Sequence, residues 1–422
     1  MAKEPYFKNP WWMVLASVLG LMVNTGVIGV FLFGVFIKPV TADLGITRGQ
    51  LSYGLPIGIT LSLFTTPLFG KAIDRFGIKR VHLPFIAAYA AMTAALSLMP
   101  SSLPIIIMMY TAHNLTGAGQ SPVPYSKTLA GWFDKDRGLA LGIAIAGVGL
   151  GVILIPQYAG YMIAHYGWRQ AYVGIGIAIM VLAFFPVWLF MRDPPSSRAG
   201  QRAAGAEGPV MLDGVTWSEA VLGRGIGVPW RFWSMTIAFF LVVVAINGTL
   251  GTIVPLLTDR GVPMKVALDA LSASGAALFG GRILSGFLLD RIHGPYVASS
   301  FFVCSLVGIA LLAGGGAGAM PFAATVLCGL CIGAEVDLMA FFVSRYYGLK
   351  AFGAIYGSMF AFFSIGNSFG IFLMSVAFDR WHSYVPMLYL FDAALAVACL
   401  LIIGLGPYRF VSRVGQRAVP AQ

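Results

Sequence analysis

The sequence predicts an all-α membrane protein whose twelve transmembrane helices form two six-helix halves. Three observations lead to this prediction: the composition, twelve long apolar stretches, and a short motif that occurs once in each half. Hydrophobic residues make up 58% of the 422 residues and charged residues only 10%, whereas a soluble domain carries about a quarter charged residues. A chain with so little charge can satisfy its outer surface only if lipid surrounds most of it.

The apolar stretches are each about 20 residues or longer, which is enough to cross a hydrocarbon core of about 30 Å. A polar segment at 192–230 separates the first six from the last six. We therefore predict a six-helix bundle at 1–191, a cytoplasmic linker at 192–230 and a second six-helix bundle at 231–422. The stretches cover residues 11–38, 52–74, 81–100, 103–126, 138–165, 169–191, 231–257, 266–290, 295–315, 319–344, 352–379 and 384–406.

The distribution of basic residues predicts the orientation. With the N-terminus inside, twenty of the 27 Lys and Arg residues fall in cytoplasmic segments and six in outer loops, while Arg282 falls within a helix. Since positive charge is retained on the cytoplasmic side, both termini are predicted to be cytoplasmic. The net charge of +11 follows from this bias. The basic residues are not gathered on one face, so no nucleic-acid partner is predicted.

A short motif recurs at the cytoplasmic end of the second helix of each half. Its glycine lets a neighbouring helix approach closely, and its Asp can pair with basic residues or a helix N-terminus. The alternative is a simple polar stop at the membrane edge. The motif consists of Gly70, Asp74, Arg75 and Gly77 in the first half, and of Gly286, Asp290 and Arg291 in the second.

Three segments resemble known transporters. Residues 70–80 resemble the loop 2–3 motif of the major facilitator superfamily. Residues 132–147 resemble the start of helix five in monocarboxylate transporters, and residues 346–357 resemble the start of helix eleven in bacterial oxalate/formate antiporters. The resemblance implies the major facilitator fold and a bacterial inner-membrane transporter of small monocarboxylates such as lactate or pyruvate. We further predict a monomer in the lipid bilayer and no cofactor.

Arg282 is the first candidate binding residue. It lies eight residues before Asp290, about 12 Å inside the cytoplasmic end of the eighth helix. Placing a guanidinium there costs at least about 3 kcal/mol, and its planar fork can bind a carboxylate through two hydrogen bonds. The resemblance implies the same role, because the family uses an Arg in helix eight for the substrate carboxylate. The alternative is a structural ion pair.

Two acidic residues of the tenth helix, Glu335 and Asp337, are candidates for proton coupling. Asp337 lies eight residues before Arg345, at about the depth of Arg282. Positions two apart on a helix point about 200° apart, so only one of the two faces the cavity squarely, and we prefer Asp337. A carboxyl group in a low-dielectric cavity can hold a proton near neutral pH. A substrate anion that displaces Asp337 from Arg282 would prompt proton uptake.

Four polar residues fall at mid-membrane depth in helices that line the central cavity in the superfamily. Their amides and imidazole can hydrogen-bond a carboxylate or hydroxyl, so we predict them as substrate ligands. The alternative is hydrogen bonding between helices. They are Asn24, His113, Asn114 and Asn247.

Other features limit the function. Cys328 and Cys331 have metal-ligand spacing but no further Cys or His nearby, so no metal site is predicted. No nucleotide-binding motif is found, so we expect gradients to drive transport and expect no enzymatic activity. Phe363 occupies the position where oxalate exchangers carry a Lys, which disfavours dianions. Anion exchange and a non-transporting sensor are the alternative functions.

Overall fold

The computed structural model describes residues 9–133, 136–192, 214–222, 229–315, 318–348 and 350–408. Within these ranges the regular structure is helical, and extended backbone pairs in the isolated bridge between Gly214 and Gly348. The all-α prediction is confirmed. Most of the predicted linker lies outside the described residues. Within the ranges, only the backbone is described at Thr66, Pro67, Gly70, Lys71, Asp74 and Arg137.

The first half contains seven helices, of which α1 and α7 are interrupted. The backbone of α1 is irregular near Asn24, and α7 is broken at Gly167, which has φ 83° and ψ 166°. Glycine adopts this conformation without steric cost. The helices are α1 (Trp11–Leu44), α2 (Arg48–Ser52), α3 (Gly54–Phe76), α4 (Ile78–Leu98), α5 (Leu103–Thr116), α6 (Pro122–Trp132) and α7 (Gly138–Phe190).

The second half follows a short linker helix. One continuous apolar core includes residues from both halves. The helices are α8 (Trp217–Leu222) in the linker, then α9 (Pro229–Gly251), α10 (Ile253–Asp259), α11 (Met264–Leu289), α12 (Gly294–Ala313), α13 (Met320–Tyr347), α14 (Phe352–Trp381) and α15 (Val385–Ile403).

Nine helices in the described residues are long and apolar enough to cross a membrane. One of them is α7, whose 53 residues cover two predicted stretches on either side of Gly167. The helix α3 and the interrupted pair α5 and α6 correspond to two more predicted stretches, although they are not among the nine. The count of twelve crossings stays a prediction.

Helices α11 and α13 pack closely because their contact surface is made of glycine. A Cβ atom at Gly281 would lie 2.1 Å from the carbonyl oxygen of Leu330, and one at Gly333 would lie 2.1 Å from that of Leu278. No side chain larger than hydrogen fits at either position. Asp337 lies one turn after Gly333 and therefore on the same face of α13. This packing brings it beside Arg282, the residue after Gly281.

Polar contacts join the two halves toward the predicted outer side. The Nε2 amide of Gln157 on α7 donates to the Oδ1 atom of Asp269 (2.9 Å) and to the hydroxyl of Ser272 (3.2 Å) on α11. The Ser272 hydroxyl in turn donates to the carbonyl oxygen of Ile153 (3.0 Å). These bonds lie inside the contact between α7 and α11, so they hold the halves together there.

The linker helix α8 is attached to the second half. The indole N–H of Trp217 donates to the hydroxyl of Ser358 on α14 at 3.0 Å. Just before α8, the backbone N–H of Val215 donates to the carbonyl oxygen of Tyr347 at 3.0 Å. The end of the linker therefore packs on the ends of α13 and α14 that the sequence predicts to be cytoplasmic.

The glycine contact predicts unequal effects for two adjacent substitutions. Gly281→Val should destabilise the protein by about 1–3 kcal/mol, because a Cβ atom there overlaps backbone atoms of α13. Gly280→Val is the matched control, since nothing lies within 4 Å of a Cβ at that position. Melting temperatures of the purified variants in detergent check this. Equal melting temperatures for both variants would contradict the packing described.

Candidate functional site

An ion pair between α11 and α13 forms the centre of the site. The Nε atom of Arg282 donates to the Oδ2 atom of Asp337 at 2.8 Å. The exposed fractions of the two side chains are 24% and 43%, so both can be reached by a ligand. The contact uses one of the five N–H groups of the guanidinium. The remaining donors can bind a second carboxylate in the bidentate geometry that Arg favours.

Glu335 lies two residues before Asp337 but in different surroundings. Its side chain is 2% exposed, and its Oε2 atom has no hydrogen-bond partner among the described residues. Arg282 lies within electrostatic range of this carboxyl group. The two acids therefore have different surroundings, in keeping with their positions about 200° apart on α13. Asp337 contacts the guanidinium at an exposed position, whereas Glu335 is enclosed by the bundle.

A row of four aromatic side chains runs along α14. Consecutive ring centroids are 5.7, 5.8 and 5.6 Å apart, and the rings are inclined by 6°, 21° and 23°. Tyr356 is within electrostatic range of both Arg282 and Asp337, so this member of the row lies near the ion pair. We call this set the aromatic row; it consists of Phe352, Tyr356, Phe360 and Phe363.

His113 is held between two helices of the first half. It is buried, its Nε2 atom lies 3.1 Å from the hydroxyl of Thr93 on α4, and its ring is 4.6 Å from that of Tyr89. These contacts fix the packing of α4 against α5. They engage one ring nitrogen.

The three candidate asparagines have different local surroundings. The Oδ1 atom of Asn24 accepts a hydrogen bond from the backbone N–H of Val27 at 2.9 Å, which supports the irregular turn of α1. The half-buried Asn114 donates from Nδ2 to the carbonyl oxygen of Tyr110 at 2.9 Å, and Asn247 is buried on α9. Among the described residues, these three make no direct hydrogen bond to Arg282, Asp337 or Glu335.

The repeated motif is described only in part. Gly77, with φ 87°, lies between α3 and α4 and turns the chain in a conformation that favours glycine. Arg75 is exposed and lies over the ring of Phe76. At Gly70 and Asp74 only the backbone is described.

In the second half the motif caps its own helix. Asp290 is the C-cap of α11, and Arg291 donates to the carbonyl oxygen of Phe287 at 3.0 Å and lies over its ring. The helix-to-helix role predicted for the motif stays a prediction.

A second ionic cluster joins the two halves on the predicted outer side. Arg48, the first residue of α2, contacts the carboxylate of Asp259 through Nη1 (2.5 Å) and Nη2 (3.2 Å). Lys38 also contacts Asp259, at 2.9 Å. Asp379 of α14 accepts hydrogen bonds from the backbone N–H groups of Arg48 (3.1 Å) and Gly49 (2.8 Å).

The Arg48 guanidinium also donates to the hydroxyl of Tyr384 and lies over the ring of Phe378. We call this cluster the outer latch. Its charged and polar members are Lys38, Arg48, Asp259, Asp379 and Tyr384.

The outer latch is stable at neutral pH. Partial burial raises the pKa of Asp259, but hydrogen bonds and charges from Arg48 and Lys38 lower it by more, so the net pKa lies below the usual value. A carboxylate with a lowered pKa keeps its stabilising contacts above that pKa and loses them as the pH falls through it. A cavity of about 430 Å³ lies beside Lys38 and Thr258, and is therefore on this side rather than around Arg282.

The structure brings Arg282, Asp337 and Glu335 together and leaves the candidates of the first half in local contacts. Sequence reasoning did not identify the aromatic row, although its spacing of four, four and three residues on one helix was a usable signal. It also did not identify the outer latch. The pairing of Arg48 with Asp259 joins residues 211 positions apart, and no sequence pattern indicates it.

These features define a helical membrane protein with an ion pair between α11 and α13 of its second half. A family model described as Major Facilitator Superfamily matches residues 17–371, and the chain belongs to this superfamily. It is a multi-pass membrane transporter, and the predicted fold family is confirmed.

Curated relatives include carboxylate transporters at low identity. The oxalate:formate antiporter of Oxalobacter formigenes is 27% identical over 72% of this chain and 69% of its own length. Monocarboxylate transporter 13 of Bos taurus is 24% identical over 71% of this chain and 66% of its own length. Among solved structures, the xylose transporter XylE from E. coli, in a partially occluded inward open conformation, has a TM-score of 0.70 at 12% identity. That likeness covers 95% of this chain and 98% of the other and supports the fold.

The outer latch predicts that removing the negative charge of Asp259 changes the conformation of the protein. Asp259→Asn should open the outer side, because it leaves Arg48 and Lys38 without their shared carboxylate. The control is Asp43→Asn, which breaks the contact of Asp43 with Arg169 inside the first half. The measurement is the labelling rate of a cysteine at the buried position Ser52 by a membrane-impermeant maleimide. The rate should rise for Asp259→Asn alone. An unchanged rate, or an equal rise in the control, would contradict the latch.

Proposed function

We propose that this protein is a secondary active transporter of small monocarboxylates of about the size of lactate or pyruvate, which moves the anion together with a proton. The observation that carries the proposal is the exposed ion pair between Arg282 and Asp337 at 2.8 Å. It presents unused guanidinium donors to a ligand at about 10 Å from the end of α11. The relatives named for oxalate, formate and monocarboxylates support carboxylate anions as substrates.

Binding begins with an exchange of partners at Arg282. The substrate carboxylate takes two N–H groups of the guanidinium, since a bidentate contact is stronger than the single Nε contact to Asp337. Asp337 is displaced, and at 43% exposure it has water available when it leaves. The arginine therefore keeps one anionic partner in the empty and in the loaded protein, and its charge is never left uncompensated.

Glu335 is the residue that supports proton coupling best. Its carboxyl group is enclosed, with an Oε2 atom that lacks a hydrogen-bond partner among the described residues. An ionised group in such surroundings costs several kcal/mol unless a cation compensates it. Arg282 is the nearby cation. A bound substrate anion adds one negative charge to the site, because the displaced Asp337 remains nearby, and a proton on Glu335 restores neutrality. We therefore assign proton coupling to Glu335 rather than to Asp337, which the sequence favoured.

Alternating access follows from the two ionic clusters. The outer latch joins the halves on one side, while the side chains of Arg282 and Asp337 remain exposed. This combination corresponds to a conformation open toward the predicted cytoplasm. Release of the latch, with closure of the other side, would present the same site outward as the halves rock.

The charge of the site favours monoanions. Arg282 supplies one positive charge, which compensates one carboxylate. A dianion would bring a second negative charge close to Glu335 and Asp337, and an unpaired buried charge costs several kcal/mol. Lactate-sized monoanions are therefore better substrates than oxalate or succinate at neutral pH.

Anion exchange is the second candidate function. The likeness to the oxalate:formate antiporter favours it. An exchanger needs the same arginine but no proton-carrying residue, so the two functions differ in what Glu335 does.

The first substitution tests the carboxylate ligand. Arg282→Lys should reduce uptake of labelled lactate into proteoliposomes by about 10- to 100-fold, because it keeps the charge but loses the paired hydrogen bonds. Arg380→Lys, at an exposed outer position of α14, is the control and should transport normally. Normal uptake by Arg282→Lys at equal reconstitution would remove Arg282 as the ligand.

The second substitution separates symport from exchange. Glu335→Gln should abolish accumulation driven by an inward proton gradient but preserve exchange of internal for external lactate, since exchange needs no return of an empty, deprotonated carrier. Asp392→Asn is the control, because Asp392 on α15 also has an oxygen without a hydrogen-bond partner among the described residues. Both fluxes are measured in the same vesicles. Gradient-driven accumulation that survives in Glu335→Gln would favour the exchanger.

A further inference from the structure

The aromatic row on α14 lies where a substrate bound to Arg282 would extend. The helix α14 begins at Phe352 on the same predicted side of the membrane on which α11 ends at Leu289. Phe360 lies eight residues into α14, or about 12 Å, and Arg282 lies seven residues from the end of α11, or about 10 Å. The two side chains are therefore at similar depth. Tyr356, one turn before Phe360, is within electrostatic range of Arg282. This indicates that the face of α14 carrying both residues lies toward the ion pair.

The rings of the row are arranged as a stacking surface. Their spacing of 5.6 to 5.8 Å and inclinations of at most 23° are those of offset-stacked aromatic pairs. Phe363 is buried, but the ring of Phe360 is 38% exposed. Part of one ring in the middle of the row is therefore accessible and can contact a further ring.

From this juxtaposition we propose that the site recognises monocarboxylates with a flat aromatic body, of which benzoate is the simplest, in preference to aliphatic acids of equal size. The carboxylate binds Arg282, and the ring stacks on Phe360 within the aromatic row. The inference rests on the proposed function, because it assumes that Arg282 holds the carboxylate. It adds the substrate class and names Phe360 as the residue that determines specificity.

Aromatic stacking makes this preference measurable. Benzoate and cyclohexanecarboxylate carry the same charge and the same number of carbon atoms, so Arg282 and the apolar walls treat them alike. An aromatic pair adds a free-energy gain beyond area burial that corresponds to a preference of about three- to tenfold. Any excess affinity for benzoate therefore reports on the stacking surface.

The experiment is equilibrium binding of radiolabelled benzoate to the purified full-length protein in detergent, with cyclohexanecarboxylate and lactate as competitors. Binding is preferred to uptake because protonated benzoic acid crosses bilayers unaided. We expect benzoate to bind about three- to tenfold more tightly than cyclohexanecarboxylate. Phe360→Leu should remove this preference, and Phe360→Tyr should retain it. Phe362→Leu is the matched control, since Phe362 lies two positions away on α14 and contacts Trp233 instead.

The outcomes separate the two proposals. Equal binding of the two acids, or a preference that survives in Phe360→Leu, would overturn the aromatic inference. If the aromatic preference is absent but Arg282→Lys abolishes binding of both acids, Arg282 is still supported as the carboxylate ligand. Binding of benzoate that does not depend on Arg282 would overturn the proposed function as well. Loss of the preference in Phe362→Leu as well as in Phe360→Leu would assign it to the packing of α14 and contradict the stacking role.

Discussion

The arrangement of the site depends on the compensation of one positive charge within a membrane helix. A guanidinium within a membrane helix costs several kcal/mol unless an anion is near it, and Arg282 has Asp337 in contact and Glu335 in electrostatic range. The glycines at 281 and 333 allow this arrangement, because only their missing side chains let α11 and α13 come close enough. The same requirement underlies the proposed carboxylate binding, since an incoming anion can take the place of Asp337 without leaving the charge unpaired.

A second ionic cluster, the outer latch, connects this site with the proposed movement of the two halves. The outer latch joins α1, α2 and α10 to the outer end of α14 through Arg48, Asp259 and Asp379. The aromatic row lies on the same helix, α14, toward its other end. One helix therefore carries both a contact that closes the outer side and a surface that lines the inner site. A rigid-body movement of the second half would shift the two together.

The sequence predicted the fold well because membrane proteins are constrained by composition and charge. Apolar stretches, a polar linker and the asymmetry of Lys and Arg follow from the bilayer alone. Arg282 could be singled out from the sequence because a cation deep in a membrane helix is energetically costly, so its presence indicates a partner or a ligand. Which of Glu335 and Asp337 contacts Arg282 could not be derived from the sequence alone, since it depends on which face of α13 packs against α11. That choice is made by Gly333 and by its contact with Leu278.

Other features were outside the reach of sequence patterns. The ring of His113 contacts Thr93 and Tyr89 between two helices, which its depth in the membrane did not indicate. Its role as a ligand stays a prediction. Asn24 similarly supports a break in α1. The outer latch joins helix ends that are distant in the chain, and its charged residues lie at or near the ends of predicted apolar stretches, where charge is expected at a membrane edge. Three-dimensional contacts, rather than residue types, distinguish these residues from their neighbours.

The central claim is that a substrate carboxylate replaces Asp337 at Arg282, and the guanidinium signal of that arginine reports it directly. In protein labelled with ¹⁵N-arginine, the Nε and Nη resonances of Arg282 can be assigned by their loss in a variant without it. The account predicts that lactate or benzoate shifts these resonances saturably, with the Nε and Nη signals changing together as the partner is exchanged. Resonances of Arg282 that stay unchanged while the substrate is bound would contradict the account.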